Sequence, residues 1–167
     1  MTPTCRKSSW TALLCGHTPA LRVKKSTPVA EALGRSRGGF STKIHALTDA
    51  LGNPLDFVLT GGQAADFTQA EALWPDEPVD AVVVDKSDAA EAFVATVSAR
   101  GAAAVIPPRR NRQPPRAYDR PVYKERHLSE CCLGKIKPYR RIFSRFEKTA
   151  RNYMGFLRFV AALVWLR

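Results

Sequence analysis

The sequence has few cysteines and no arrangement of them that predicts a zinc site or a disulfide framework. Four cysteines lie at positions 5, 15, 131 and 132. No CxxC pair and no His/Cys zinc spacing is present, and two adjacent residues of one helix are poorly placed to bond to each other. We therefore expect reduced thiols and a cytoplasmic protein.

Long hydrophobic runs are also missing. The most apolar stretch, FLRFVAALVWL, is interrupted by Arg158. It is shorter than the roughly 20 residues that a helix needs to cross a bilayer. The N-terminus has no apolar run before a small-residue cleavage site. The sequence therefore predicts neither contact with a membrane nor a secretory leader.

Acidic residues are scarce at both ends of the chain. Residues 1–40 carry seven Lys/Arg and one acid, and residues 101–167 carry sixteen Lys/Arg and four acids. Residues 41–100 carry only three Lys/Arg against ten acids. The net charge of +11 therefore comes from the two ends. Such basic ends either contact a phosphate backbone or form a solvated surface, and charge alone does not decide between these. The length of 167 residues and the hydrophobic content of 45% suit one folded domain.

Hydrophobic patterning predicts an α/β fold. Residues 40–60 alternate around a Gly-Asn-Pro turn, which predicts a β-hairpin, and GGQAADFTQAEALW predicts a loop and then a helix that begins near Asp66 or Thr68. The segment VDAVVVD predicts a buried strand, SDAAEAFVATVSARG predicts a helix that ends at Gly101, and AAAVIPP predicts a second buried strand. Strand, helix and strand in this order predict a parallel βαβ unit.

The two ends are less regular. Residues 1–31 have no sustained period and predict an irregular arm, with one short element at Trp10–Cys15. GRSRGG (34–39) predicts a flexible basic loop whose Arg35 and Arg37 suit phosphate. In the C-terminal third, we expect a Pro-rich linker over 109–121, a helix over Tyr123–Lys137 and an apolar helix over about 147–166 that packs on the sheet.

Asp85 follows a run of valines. A carboxylate at the C-terminal end of a buried parallel strand lies at the edge of the sheet where α/β proteins bind ligands. The same residue is also compatible with a loop beside the cap of the next helix. Its position alone leaves both interpretations open.

Projection of residues 123–137 on a helix, at 100° per residue, separates two faces. Four polar residues fall within about 60° of arc, namely Tyr123, Arg126, Glu130 and Lys137. Leu128, Cys131, Cys132 and Ile136 fall on the roughly opposite side. We therefore predict that both cysteines pack inward, while the polar face is either functional or a solvated charged stripe.

The spacing Tyr-(2)-Arg-(3)-Glu-(6)-Lys of these four residues resembles the signature of bacterial insertion-sequence DDE transposases. The flanking stretches ALGRSRGGFSTKIHALTDALGNPL, AVIPPRRNRQPPRAYDRPVYKERHL and KTARNYMGFLRFVAALVWLR resemble the same family. The similarity covers about residues 32–167. It predicts an irregular arm over 1–31 followed by a partial catalytic domain over 32–167.

The resemblance implies an RNase H-like fold, a mixed sheet with flanking helices. It also implies an enzyme that cleaves DNA and transfers strands by two-metal phosphoryl transfer. Asp85 matches the second metal-binding acid of the family and Glu130 the third. Mg²⁺ or Mn²⁺ is implied as the cofactor, because hard cations prefer oxygen ligands. Tyr123, Arg126 and Lys137 match the supporting residues of the signature.

The implied partner is double-stranded DNA at the terminal inverted repeats of an insertion sequence, in the bacterial nucleoid, with a homo-oligomer on the DNA as one arrangement. Phosphate contacts are expected from Arg126 and Lys137 and from further arginines of the two basic stretches. These are Arg35, Arg37, Arg109, Arg110 and Arg112. His45 lies in a strand pattern without ligand partners, so we expect a structural role for it.

Two departures from the family pattern stand out. A sequence like DKGYD follows the second acid in the family, where this chain has DKSD. The family also carries its first catalytic Asp on its first strand, in a stretch like DST-x-VRAH, whereas residues 1–31 contain no aspartate. One metal ligand is therefore absent, and we predict a sheet that lacks the family's first strand.

Codons for Leu14–Thr18, shifted by one base, can encode Val-Arg-Ala-His. The hypothesis is that residues before about 24 are read out of frame, so that the chain is a catalytically impaired transposase remnant. The alternative is a non-enzymatic basic DNA-binding protein. A structural RNA-associated protein is less favoured, because no RRM-type aromatic motif is present.

Overall fold

The computed structural model describes residues 7–14, 30–36, 39–75, 78–84, 90–107 and 118–167. The strands in these ranges are β1 (Lys7–Leu14), β2 (Gly34–Ser36), β3 (Gly39–Asp49), β4 (Pro54–Gly61), β5 (Ala81–Val83) and β6 (Ala103–Val105). The helices are α1 (Ala90–Ala99), α2 (Arg120–Lys124), α3 (Arg126–Ile136), α4 (Arg140–Phe143) and α5 (Ala150–Trp165), with a 3₁₀ turn at Asp66–Gln69.

The strands form one mixed sheet, which confirms the predicted α/β class. Its path is β2-β3-β1-β5-β6, and β4 also pairs with β3. β1 runs antiparallel to β3 and parallel to β5, and β5 runs parallel to β6. The predicted hairpin is confirmed as β3–β4, and the predicted βαβ unit as β5–α1–β6, with Gly101 at φ +78° just after α1.

The strand β1 lies between β3 and β5, a central strand in a sheet that the sequence predicts to lack the family's first strand. Ser9 pairs with Thr48 on one side and with Val83 on the other. KSSWTALL shows no clean alternation, but the backbone groups of a central strand are hydrogen-bonded from both sides whatever its side chains are. Residues 7–14 of the predicted irregular arm form this strand, which overlaps the short element predicted at Trp10–Cys15, while 1–6 and 15–29 lie outside the described residues.

Two further predictions of local structure are corrected. Gly34–Ser36 of the predicted GRSRGG loop is a strand, paired with the beginning of β3. The helix predicted near Asp66 is only the 3₁₀ turn Asp66–Gln69, in which the Thr68 hydroxyl donates to the carbonyl oxygen of Ala65 at 2.7 Å. A local bond of this kind favours a turn over continued helix.

The turn between β3 and β4 brings the hairpin against α3. Asp49 Oδ1 accepts hydrogen bonds from the backbone N–H groups of Leu51 (2.9 Å) and Asn53 (2.8 Å). Gly52 has φ +80°, and a Cβ there would lie 2.7 Å from the carbonyl oxygen of Leu128. The Gly-Asn-Pro turn therefore needs its glycine both for the backbone angle and for the close approach of α3.

The largest core cluster lies between the β3–β4 hairpin and the C-terminal helices. It joins Ile44 and Phe57 to Cys132 of α3 and to Tyr153 and Leu157 of α5, all buried. α5, capped by Thr149, confirms the predicted apolar helix packed on the sheet. Within the described part of the chain, no helix is long and apolar enough to span a bilayer.

The two adjacent cysteines differ in their surroundings. Cys132 is fully buried, as predicted, whereas Cys131 is exposed, so the prediction that both pack inward is wrong for Cys131. Adjacent helical residues point about 100° apart, and only one of them faces the core. Burial raises the pKa of the Cys132 thiol from 9.0 to about 11, an effect that Lys135 opposes.

Arg145 is a buried cation whose guanidinium donates mainly to backbone carbonyls. It is 2% exposed. Its Nε donates to the Glu147 carbonyl (3.0 Å), and Nη1 donates to the Glu31 carbonyl (2.8 Å) and to Thr42 Oγ1. Its Nη2 donates to the Lys148 carbonyl (3.3 Å). One side chain thus joins the turn at residues 30–32, the strand β3 and the segment between α4 and α5.

Arg145→Met is expected to lower the free energy of unfolding by at least about 3 kcal/mol, because several buried acceptors lose their donor. Urea denaturation measures the loss. The matched control is Arg158→Met, since Arg158 is 67% exposed and 3.6 Å from Asp56, and exposed ion pairs contribute little. Equal effects of the two changes contradict the role given to Arg145.

Cys131 is expected to react with a thiol reagent in the native protein at pH 8, and Cys132 only after unfolding, because the thiolate is the reactive form. Mass mapping of the labelled peptide, in the parent and in Cys131→Ser, measures this. The folded pKa of Cys132 lies above its unfolded value, so its stabilising contribution is full below about pH 9 and is lost as the pH approaches 11. Native labelling of Cys132 at pH 8 contradicts the assignment.

Candidate functional site

The four signature residues lie along α2 and α3. Tyr123 is on α2, Arg126 and Glu130 are on α3, and Lys137 follows α3 directly. The predicted single helix is thus divided at Glu125, whose backbone stays helical at φ −66° and ψ −13°. Because the backbone angles stay helical across the division and through Lys137, the predicted common face survives it.

A capping residue and a proline explain where α2 begins. Asp119 Oδ1 accepts a hydrogen bond from the backbone N–H of Val122 at 3.0 Å. Pro121 lies in the first turn, where a missing N–H costs no helical hydrogen bond. The stretch YDRP at the end of the basic linker therefore sets the position of the signature.

Three of the four signature residues form a chain of contacts. Arg126 Nη2 lies 2.9 Å from Glu130 Oε1, with the two side chains 23% and 52% exposed. The Arg126 guanidinium lies 5.7 Å from the centre of the Tyr123 ring. Lys137 is exposed and seven residues beyond Glu130, or about 10 Å along the helix axis. One exposed carboxylate is thus flanked by two cations that can meet phosphate.

Tyr123 anchors the signature to the parallel part of the sheet. It packs against Ala81 and Val83 of β5 and Val105 of β6. Tyr118 meets its ring edge-on, with centroids 5.7 Å apart and planes at 89°. The first signature residue therefore contacts the strand that precedes Asp85 in the chain.

A buried pair of hydroxyls holds α3 on the sheet. Thr48 Oγ1 and Ser129 Oγ are 2.7 Å apart, and both residues are completely buried. Ser129 directly precedes Glu130, and Thr48 pairs across the sheet with Ser9 of β1. This bond fixes the position of α3, and with it the position of Glu130, relative to β3. Sequence reasoning missed the pair, although a small polar residue on the packing side of α3 was a signal.

Several predicted site residues lie outside the described residues, so the structure does not test them. They are Asp85, Arg37, Arg109, Arg110 and Arg112. Arg35 is described: it is exposed on β2, with its guanidinium 5.6 Å from the centre of the Phe40 ring. Its predicted phosphate contact stays a prediction.

His45 is 2% exposed, and its Nε2 lies 2.8 Å from Thr60 Oγ1 of the neighbouring strand β4. This contact across the hairpin agrees with the structural role expected for it.

The described residues do not assemble a metal site. In the ranges that the structure describes, no group of three or more His, Cys, Asp or Glu side chains is placed to hold an ion. Glu130 is paired with Arg126, and the sequence KSSWTALL of β1 contains no carboxylate. Among the described residues, the arrangement offers one acid and two cations, which suits contact with phosphate.

Comparisons with known proteins agree with the family that the signature resembles. The family model for the transposase DDE domain matches residues 17–153. A Brucella ovis protein assigned as the transposase for insertion sequence element IS6501 is 39% identical over 131 residues, which cover 76% of this chain and 99% of that protein. No solved structure matches the chain. The chain therefore belongs to the DDE transposase family of insertion sequences.

Proposed function

We propose that this chain binds DNA as a transposase catalytic domain and cleaves it poorly, because its metal site lacks one carboxylate. The strand β1 carries this proposal. It lies at the centre of the sheet, between β3 and β5, yet it contains neither Asp nor Glu. The family's first acid is expected on the first strand, so the backbone of that position is retained without its ligand.

The strand order supports an RNase H-like fold as part of the proposal. An antiparallel set, in which β3 pairs with both β4 and β1, continues into the parallel strands β5 and β6. The helix α1 makes the crossover between the parallel strands. In this reading, β1 is the strand that joins the antiparallel and parallel halves.

The acids that remain are Asp85 and Glu130, which we assign as the second and third ligands of the family's divalent metals. Two carboxylates, one of them already paired with Arg126, form an incomplete set for two Mg²⁺ ions. The absence of a ligand carboxylate is expected to cost several kcal/mol of transition-state stabilisation, or a factor of about 10³ or more in rate. The chain alone is therefore expected to transfer strands very slowly.

The DNA-binding part of the proposal is independent of the missing acid. Arg126 and Lys137 are proposed to hold phosphates beside Glu130, with Tyr123 supporting Arg126. The arginines of the two basic stretches extend this contact, and the terminal inverted repeats are the proposed target, bound in the nucleoid by one copy or by a homo-oligomer. The contribution of these basic residues to DNA affinity is electrostatic, and the affinity is therefore sensitive to salt.

The reading-frame hypothesis stays a prediction about residues before about 24. The upstream DNA, translated in all three frames, tests it. A frame that encodes an Asp-Ser/Thr-rich strand leading into Val-Arg-Ala-His is expected. If neither alternative frame contains such a stretch, the hypothesis is wrong.

The parent chain is expected to bind terminal inverted-repeat duplexes with an affinity that falls steeply with salt, and to nick them little in Mg²⁺ or Mn²⁺. A gel shift over a salt series and a nicking assay with labelled strands measure the two properties. Glu130→Gln is the control, and it should retain binding. Metal-dependent cleavage by the parent that Glu130→Gln abolishes contradicts the proposed impairment.

Thr11→Asp is expected to restore metal binding. Thr11 is two residues beyond Ser9, which pairs with Val83, and Asp85 is two residues beyond Val83 in the chain. Position 11 also pairs with Ala46, a residue of the core cluster that contains Cys132 of α3. Directly paired residues share a face of the sheet, so position 11 is the place on β1 that we propose for the absent aspartate.

Mn²⁺ is expected to raise the melting temperature of Thr11→Asp by a few degrees and to leave the parent unchanged, since a ligand that binds only the folded state stabilises it. Ala12→Asp, one residue away and on the opposite face, is the matched control and should not respond. Adding Glu130→Gln to Thr11→Asp should cancel the shift. A Mn²⁺ response in Ala12→Asp as large as in Thr11→Asp argues against the assigned position.

A further inference from the structure

The segment of residues 137–151, KPYRRIFSRFEKTAR, contains six basic residues and one acid. Its acid, Glu147, is engaged by Arg141 at 3.2 Å, and the Glu147 side chain is only 8% exposed. Arg145 is buried, as described above. The exposed charge of this segment is therefore positive throughout.

Two aromatic rings lie exposed in the same segment. Phe143, the last residue of α4, is 59% exposed, and Phe146, three residues later, is 46% exposed. Their neighbours Ile142 and Arg145 are buried, so the core side of this segment is already filled. Burying a phenylalanine stabilises a fold, and here about half of each of two neighbouring rings stays in water.

The rings and the cations are interleaved. The Arg140 guanidinium lies 5.7 Å from the centre of the Phe146 ring. Lys148 and Arg151 are exposed a few residues further on. We call five exposed residues of this segment the α4 patch, namely Arg140, Phe143, Phe146, Lys148 and Arg151.

An exposed aromatic ring beside cations is the arrangement with which proteins hold single-stranded nucleic acid. The bases stack on the rings, and the phosphates meet the cations. Bases inside a duplex are stacked on each other and leave no face for a protein ring. Simple basic surface binds duplex and single strand alike, so the rings are what distinguishes this patch from the rest of the basic chain.

We propose that the α4 patch binds a single-stranded segment of DNA, with bases on Phe143 and Phe146 and phosphates on Arg140, Lys148 and Arg151. The choice of DNA as the strand rests on the proposed function. Lys137, the last signature residue, directly precedes the segment and lies about 10 Å beyond Glu130 along α3. That distance corresponds to about three stacked nucleotides, so a strand held beside Glu130 reaches the patch within a few bases.

Fluorescence anisotropy with a labelled 20-nucleotide single strand of mixed sequence, and with the duplex of the same sequence, tests the proposal on the full chain. Phe143→Ala and Phe146→Ala are each expected to weaken single-strand binding about tenfold and duplex binding less than twofold, because each removes a stacking ring. Phe159→Ala on α5 is the matched control, since Phe159 is 60% exposed. It should change neither affinity.

A second variant tests the patch without touching a ring. Arg140→Gln is expected to weaken single-strand binding and to lower the slope of log affinity against log salt by about one. An unchanged urea midpoint shows that a variant is folded. Because both kinds of variant are at exposed positions, a loss of binding with an intact fold supports the proposal.

The proposal is wrong if neither Phe variant changes the affinity for the single strand, or if the variants weaken single-strand and duplex binding equally. It is also wrong if the chain binds the single-stranded RNA of the same sequence more tightly than the DNA. A change of the sedimentation coefficient in Phe143→Ala shows that a second copy of the chain covers the patch, which also contradicts it. The proposed function fails separately, through loss of inverted-repeat binding while the Phe-dependent single-strand binding persists.

Discussion

The placement of the C-terminal helices depends on the buried guanidinium of Arg145. A charge taken out of water is tolerated only when its donors are satisfied, and here the acceptors come from three parts of the chain. Glu31 contributes its carbonyl to Arg145 and its Oε2 to the backbone N–H of Ala150, at the beginning of α5. The turn at 30–32, the strand β3 and the helix α5 are therefore held in one arrangement. The same inward turn of Arg145 leaves Phe143 and Phe146 on the outside.

The signature helix is positioned by contacts with β3, β5 and β6. The Thr48–Ser129 hydroxyl pair sets α3 on β3, and the Tyr123 ring packs on β5 and β6. Both contacts are buried or partly buried, and both belong to the ordinary packing of the fold. The carboxylate that we propose to be absent from β1 takes part in neither of them. The position of Glu130 is therefore independent of whether the site can hold its metals.

Local patterns made part of this fold predictable. The β3–β4 hairpin, the βαβ unit and α5 each have a periodicity or turn chemistry that lies within one segment, and the Tyr-Arg-Glu-Lys spacing places three side chains in contact. β1 could not be predicted in the same way, because backbone hydrogen bonds to β3 and β5 stabilise it and its own sequence has no clear alternation. The Thr48–Ser129 pair joins residues 81 positions apart, so no local window contains it. The exposure of Cys131 follows from which side of α3 packs on the sheet, and the spacing alone does not fix that side.

The central strand shows why fold and chemistry can separate in this family. A strand between two others is held by N–H and C=O groups that every residue but proline supplies, so KSSWTALL suffices for the sheet. Two-metal catalysis instead needs one carboxylate at one position, and nothing else on the strand substitutes for it. The cations that face phosphate are spread over many residues, and loss of one weakens binding only by degrees. On the proposed function, a chain without an acid on β1 is therefore expected to keep its architecture and its contact with DNA, while its capacity to cut falls by orders of magnitude.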